Sequence, residues 1–346
     1  MTEAFLTQLL QAIPLASVLI GRGERILAAN SEAKTLLGSG IVGRHFITAI
    51  RHPAVLDAVE HCLGDRKTHR ARHLTSQSGR DLTYSVTASY IDFSAGEGVL
   101  VCFDDITPVE QAGQMRRDFV ANVSHELRTP LTALLGFIET LRGPASKDPA
   151  AQQRFLGIMD REAHRMERLV RDLLSLSRVE AEERVRPVTR VDIVAILESV
   201  QKSLEPLAAE AGVAFSRIDD GTPIHVPGDE DQLRQVFTNL IENAVKYGAR
   251  GERVEVTVHL SEAVPSLRGP GVEVTVRDFG PGIEEIHIPR LTERFYRVDS
   301  HRSREMGGTG LGLAIVKHIV NRHRGRLRIE SEPGQGCRFI VTLPHE

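Results

Sequence analysis

The sequence predicts a multidomain α+β protein built from a small α/β domain, a long helical hairpin and a second α/β domain rich in glycine loops. Three observations lead there. A chain of 346 residues suits two or three domains. Apolar residues between positions 120 and 176 recur at spacings of three, four and seven, the signature of helix seams. On both sides of that region, strand-like and helix-like segments alternate between turns marked by glycine and proline.

Composition narrows the classes. Hydrophobic residues make up 41% and charged residues 26%, as in ordinary globular proteins. A net charge of −3 supplies no electrostatic reason to bind nucleic acid. Cys62, Cys102 and Cys337 are widely spaced and form no CxxC or CxH pair, so neither a disulfide framework nor a zinc site is expected, and a reducing cytoplasm fits. The uncharged run Ala4 to Ile20 is interrupted by Pro14, Gln8 and Gln11, and it falls short of the ~20 residues of a membrane span. It reads as a helix, Phe5 to Ala12, followed by a strand, Leu15 to Ile20.

In the first domain, Leu15–Ile20 and Arg25–Ala29 flank a glycine turn as two strands. Asn30 to Leu37 reads as a helix capped by Asn30 or Ser31 and stopped at Gly38. Another helix is expected near Pro53 to Leu63. Three strands then follow, Thr68–Ser76, Leu82–Ile91 and Glu97–Phe103. The histidines at 45, 52, 61, 69 and 73 lack the spacing of a metal site.

The central stretch is Ser124-His125-Glu126-Leu127-Arg128-Thr129-Pro130-Leu131, on a helix predicted from Pro108 to about Leu141. Val120, Leu127, Leu131, Leu134, Ile138 and Leu141 form its seam, and His125 lies just outside it. Pro130 has no N–H, so the helix should kink or loosen beside the histidine. A neutral imidazole is a nucleophile, and attack on phosphorus gives a phosphoramidate able to pass its phosphoryl group to a carboxylate. Glu126 is a candidate to orient the other ring nitrogen, and Thr129, one turn on, to position a water for the reverse hydrolysis. After a turn at Gly143-Pro144, a second helix from Ala150 to Val179 carries Met159, Met166, Leu169, Leu173 and Leu176. Such a hairpin cannot bury both stripes alone, so a homodimeric four-helix bundle is expected. Ala181 to Arg186 reads as a charged linker.

Beyond about Val188, the segment Asp231 to Gly248 has two faces. Leu233, Val236, Phe237, Leu240, Ile241 and Ala244 make a buried stripe. Asn239, Glu242, Asn243 and Lys246 make a polar one, a donor set suited to oxygen-coordinated Mg²⁺ with phosphates beyond it. A strand from Val272 to Arg277 ends in Asp278-Phe279-Gly280-Pro281-Gly282-Ile283. Its carboxylate is placed to accept from an exocyclic amine of a base, and its glycines let backbone approach a ligand. Glu293 to Asp299 then precedes a polar loop, Ser300 to Met306. Gly307-Gly308-Thr309-Gly310-Leu311-Gly312-Leu313 follows and opens a helix, a setting for phosphate binding by backbone N–H groups.

In this order and spacing, residues 110–344 resemble the sensor histidine kinases of bacterial two-component systems, with five motifs at 124–131, 231–247, 278–283, 293–297 and 307–313. The first domain resembles a PAS sensor domain, and the whole is most similar to the phosphate-regulon sensor subgroup. The resemblance implies three domains: a PAS-like sensor at 1–107, a dimeric phosphoacceptor hairpin at 108–182 and an α/β sandwich ATP-binding domain at 188–346. It implies ATP and Mg²⁺ as cofactors, with Asn243 on the metal and Asn239 supporting it. Asp278 would read the adenine amine, Tyr247 would line its pocket, and Lys246 and Arg297 would face phosphates. Gly280 and Gly282, then Gly308, Thr309, Gly310, Leu311 and Gly312, complete the expected ATP site. The implied partner is a response regulator with an acceptor aspartate, and His125, Glu126 and Thr129 carry the chemistry, including a reverse phosphatase reaction. Unlike most such sensors, this sequence holds no membrane span, so a cytoplasmic protein taking its signal directly or from a membrane partner, peripheral to the inner membrane, is expected. Two other readings remain at this stage, a chaperone- or gyrase-like ATP cycle with His125 incidental, and a degenerate kinase used as a scaffold.

Overall fold

The computed structural model describes residues 3–77, 80–93, 96–218, 221–265, 267, 269–299 and 308–345. The expected polar loop Ser300–Met306 and Gly307 lie outside the described residues. Two compact units are present, residues 1–121 and 122–346.

The first unit opens with α1 (Glu3–Gln11), the antiparallel pair β1 (Ala16–Gly21) and β2 (Ile26–Ala29), and the helices α2 (Ser31–Leu37), α3 (Phe46–Ala49) and α4 (Pro53–Asp65). It then runs through β3 (His69–Gln77), β4 (Arg80–Phe93) and β5 (Gly96–Asp105). The five strands form one antiparallel sheet in the order β2-β1-β5-β4-β3, so the first strand pairs with the last. Side chains alternate along the strands. Val18 and Ile20, Val86 and Ala88, and Val99, Val101 and Phe103 thus share the sheet face that packs on Phe46, Val55 and Val59 of the helices. The four-residue α3 has no repeat long enough to be read from sequence.

Asn30 ties this unit together. It is fully buried, and its Oδ1 accepts from the N–H groups of Ser17 (2.9 Å) and Ala33 (3.0 Å). Its Nδ2 donates to the carbonyls of Leu15 (2.7 Å) and Ile13 (3.1 Å). One amide therefore caps α2 and stitches it to the chain entering β1, which settles the choice between Asn30 and Ser31 as the cap.

The second unit contains the hairpin and the second α/β fold. Helix α5 (Thr107–Arg142) is helical on both sides of Pro130, and α6 (Pro149–Glu182) starts at Asp148, whose carboxylate accepts from Ala150 and Ala151. Phe137 stacks on Phe155 with ring centroids 5.4 Å apart, and Arg165 reaches Glu126, joining the two helices. Leu131 and Ile138 of the predicted seam stay 48% and 40% exposed in the single chain, so the stripe is not satisfied within one hairpin. The charged linker expected at Ala181–Arg186 is corrected at its start alone: α6 continues to Glu182, and residues 183–186 are non-helical. Glu182 and Glu183 there bind Arg322, His318 and Asn321, because ion pairing with the next fold makes a helical end more favourable than a solvated coil.

After β6 (Arg190–Asp192) come α7 (Ile193–Ala211), β7 (Ala214–Ile218), β8 (His225–Pro227) and α8 (Glu230–Gly248). The chain ends with β9 (Arg253–Val264), β10 (Gly269–Asp278), α9 (Gly312–Arg322), β11 (Arg326–Ser331) and β12 (Cys337–Pro344). The sheet runs β11-β12-β10-β9-β7, antiparallel except for the β7–β9 pair. Helices α8 and α9 pack on it through Phe237, Leu240, Ile241, Ile315 and Ile319, each almost wholly buried and stabilising by about 1.5–3 kcal/mol. The start of α8 is pinned by the buried His323. Its Nδ1–H donates to the Ile319 carbonyl (2.8 Å), and its Nε2 accepts from the Asp229 N–H (3.0 Å).

Asn30→Ala removes the side-chain partner of two buried N–H groups, Ser17 and Ala33, and of the part-buried Ile13 carbonyl, while the Leu15 carbonyl keeps the Ser17 hydroxyl, and should cost the first unit about 2–4 kcal/mol. The loss is expected as faster hydrogen exchange of the β1 amides, and exchange unchanged from wild type would contradict the role given to this amide.

Candidate functional site

The amphipathic pattern of α8 decides where the site lies. Leu233, Val236, Phe237, Leu240, Ile241 and Ala244 are buried against the sheet. The opposite stripe, Asn239, Glu242, Asn243 and Lys246, together with Tyr247, faces a cavity of about 300 Å³. The far walls are Asp278, Pro281, Gly282 and Ile283 after β10, Tyr296 and Arg297, and Gly308, Thr309, Gly310 and Gly312 before α9.

Asp278 is 4% exposed, and its Oδ1 accepts from the N–H groups of Gly280 (2.9 Å) and Cys337 (3.3 Å). Burial holds its carboxyl above the usual carboxylate range, against the pull of those bonds. The neighbouring Cys337 thiol is pushed up to about 11, by burial first and then by the Asp278 charge. Both groups line the cavity, so the site is floored by an acid in an apolar setting, an arrangement that functional sites favour.

The glycine loop before α9 meets the segment around Phe295. Gly310, at φ +73°, lies against Phe295, whose N–H donates to the Gly310 carbonyl at 2.8 Å. A side chain at 310 would strain both the backbone and that contact. The glycine run opens a helix, as expected. Regular helix begins at Gly312, with Leu311 as its N-cap residue, after the left-handed Gly310; the Leu311 N–H donates to Thr309 Oγ1 at 3.3 Å.

The structure gathers most of the predicted residues and places others apart. Asn239, Asn243, Lys246, Tyr247, Asp278, Gly282, Arg297, Gly308, Thr309, Gly310 and Gly312 line the cavity. Gly280 and Leu311 stand behind the lining as backbone donors. Both cations carry carboxylate partners, Lys246 with Glu242 at 2.5 Å and Arg297 with Glu126 at 3.3 Å. His125 is exposed on α5 and is not part of the lining. Thr129 donates its hydroxyl to the His125 carbonyl at 3.1 Å, and Glu126 also accepts from Arg165 at 2.9 Å. Glu126 is thereby the link between the His125 helix and the cavity.

Sequence reasoning missed Arg168 and Asp172 of α6, which complete the cavity wall. Thr309 donates to Asp172 Oδ2 at 2.6 Å. Both sit on the polar side of a heptad-like stripe, where no motif separates them from solvated charges. Among the described residues no group of three or more His, Cys, Asp or Glu is arranged for a metal. The carbonyl and carboxylate oxygens of Asn239, Glu242 and Asn243 do fit Mg²⁺, which takes few protein ligands and keeps waters and phosphate oxygens for the rest.

Comparison with known proteins places two family models on the chain. The His Kinase A (phospho-acceptor) domain matches residues 115–182, and the histidine kinase-, DNA gyrase B-, and HSP90-like ATPase matches residues 228–346. The phosphate regulon sensor protein PhoR of Pseudomonas aeruginosa is 43% identical over 240 residues, 69% of this chain and 52% of that protein. The sensor protein kinase WalK of Staphylococcus saprophyticus is 35% identical over 332 residues, 94% of this chain and 52% of that protein. The chain thus spans about half the length of both relatives. In fold, it resembles the histidine kinase ThkA, solved in complex with the response regulator TrrA. That match has a TM-score of 0.53, 22% identity and 98% of each chain covered.

Because the folded pKa of Asp278 is raised, the native state holds this proton more tightly than the unfolded chain does. Stability is then lost as pH rises from near ~4 through the raised value, and the loss is complete above it. Asp278→Asn removes the ionisation. Its melting temperature should exceed that of wild type at neutral pH, with the gap closing towards pH ~4; a gap independent of pH would contradict the buried-acid account.

Proposed function

The chain belongs to the sensor histidine kinases of two-component systems, and on that premise we propose that it moves the γ-phosphoryl group of ATP to His125 and then to an aspartate of a response regulator. The observation that carries this reading is the cavity itself. It combines a buried acid, an amide-and-carboxylate helix face and a glycine loop, and Arg297 connects it to Glu126, next in sequence to His125.

In the proposal, Asp278 accepts from the adenine amine, Tyr247 lines the base pocket, and Gly280 and Gly282 keep the backbone close. Asn243, supported by Asn239, would hold Mg²⁺, which supplies charge neutralisation on the phosphate oxygens. Lys246 and Arg297 exchange their carboxylate partners for phosphate oxygens, and Gly308 to Gly312 supply backbone N–H groups with Thr309 and Leu311 among them. A ring nitrogen of His125 attacks the γ-phosphorus; the P–N bond forms as the bond to the bridging oxygen breaks, and ADP leaves. Glu126, once released from Arg297, takes the imidazole proton. The regulator's carboxylate oxygen next attacks phosphorus, the P–N bond breaks, and His125 is restored. In the reverse direction Thr129, by turning its hydroxyl off the His125 carbonyl, positions the hydrolytic water.

His125 stands outside the cavity lining, so transfer requires the ATP-binding fold to shift along the hairpin, a population change that an input domain is suited to bias. Residues 1–107 serve as that PAS-like input, a reading supported by the order of two strands, three helices and three strands. Residues 108–182 serve as phosphoacceptor and 188–346 as catalytic domain. The half-exposed seam of Leu131 and Ile138 supports homodimerisation into a four-helix bundle. Phosphate-starvation signalling is the favoured setting, given the likeness to PhoR. No helix among the described residues is long and apolar enough to cross a membrane. A cytoplasmic setting, with a membrane protein as one source of the signal, belongs to the same proposal.

Incubation with γ-labelled ATP and Mg²⁺ tests the reading. Acid-labile, alkali-stable label is expected in wild type and absent in His125→Gln, and equal labelling of the two would refute it. ATP hydrolysis without any phosphoprotein would favour a chaperone-like cycle instead. With labelled regulator, Thr129→Ala should lose dephosphorylation while keeping autophosphorylation, and loss of both would remove Thr129 from the assigned role.

A further inference from the structure

Helix α6 supplies part of the cavity wall. Arg168 and Asp172 stand one turn apart on the same helix face, and both line the cavity. The Thr309 hydroxyl donates to Asp172 Oδ2 at 2.6 Å, the length of a charge-assisted bond, while the Thr309 oxygen accepts from the Leu311 N–H at 3.3 Å. These three groups form a continuous chain from the start of α9, through the glycine loop, to the hairpin. Burial, and after it the nearby Glu242 charge, oppose ionisation of Asp172, while the Thr309 bond and the Arg171 and Arg168 charges favour it. Turning Thr309 away would take from this partly buried carboxylate the short hydrogen bond that ties it to the loop.

The loop geometry makes this contact consequential. Directly after Thr309 the chain is fixed twice: Gly310, in the left-handed region, is pressed against Phe295, and regular helix starts at Gly312. Thr309 is thus the side chain through which the Gly308–Gly312 wall of the cavity is attached to α6. We propose that Asp172 is a positioning residue of the nucleotide site, which holds Thr309, and with it the backbone of Gly308–Gly312, in the cavity wall and thereby sets how fast a nucleoside triphosphate leaves. The inference rests on the nucleotide reading above and adds to it a residue from outside the ATP-binding fold.

The test is stopped-flow release of a fluorescent ATP analogue, with Mg²⁺, from the full chain. Asp172→Ala and Thr309→Val should each speed release about tenfold, since each breaks the same charge-assisted bond. The double variant should be no faster than either single one, as expected when two residues act through one interaction. Asp172→Asn keeps an accepting side-chain oxygen and should lie near wild type. Release within about twofold of wild type in Asp172→Ala, or effects that multiply in the double variant, would overturn the proposal. So would faster release in Asp172→Ala that is matched by a fall in melting temperature and not seen in Thr309→Val, which would mark Asp172 as merely structural. A wild-type chain that does not bind the analogue would instead refute the nucleotide reading itself.

Discussion

The cavity depends on a contact in which one partner has no side chain. Gly248, the last residue of α8, lies against the side chain of Asp278 at the end of β10, so close that a methyl group at 248 would overlap its Cβ and sit 2.9 Å from its Cγ. Gly280 folds back onto the same place, and a Cβ there would come within 2.8 Å of the Gly248 Cα. This packing lets a helix end, a strand end and a turn converge on one carboxylate. It keeps that carboxylate dry, and from it follow the raised pKa, the backbone bonds from Gly280 and Cys337, and the depth of the pocket. A buried acid costs stability, and a fold keeps one where a ligand can use it.

A second constraint comes from α6. Its polar side presents Asp172, Glu180, Glu182 and Glu183 to Thr309, Arg294, Arg322 and His318. Ser175 adds a bond to Gln235 at 2.9 Å. Ion pairs of this partly exposed kind contribute about 0–1 kcal/mol each, and less at high salt. A docking built from several of them is firm enough to seat the ATP-binding fold on the hairpin and weak enough to be released. That balance suits the proposed transfer to His125, which stands outside the cavity lining.

Much of this was legible because the chemistry is written at helical and turn spacings. The two stripes of Asp231–Gly248 gave the buried and lining faces of α8, and the glycines around Asp278 marked where backbone meets ligand. The strands of the first unit followed from alternation and glycine turns, and the pairing of β1 with β5 did not, because strand order is set by long-range contact. What sequence could not show lies between segments distant in the chain. Asp172 reads as one more charge on a helix until Thr309, 137 residues later, arrives beside it. The end of α6 reads as linker until Arg322 and His318 supply partners. Glu126 reads as a proton acceptor for its neighbour, and the fold gives it to Arg165 and Arg297.

In the proposed function the Asp278 cavity reads an adenine nucleotide. Equilibrium titration of the full chain with Mg·ATP and with Mg·GTP tests it most directly, because the carboxylate that accepts from the amine of adenine meets an acceptor, the carbonyl oxygen, at the same position of guanine. The account predicts saturable binding of ATP, one per chain, with GTP weaker by a factor of about 100 or more. Equal affinity for the two, or no binding of either, would contradict it.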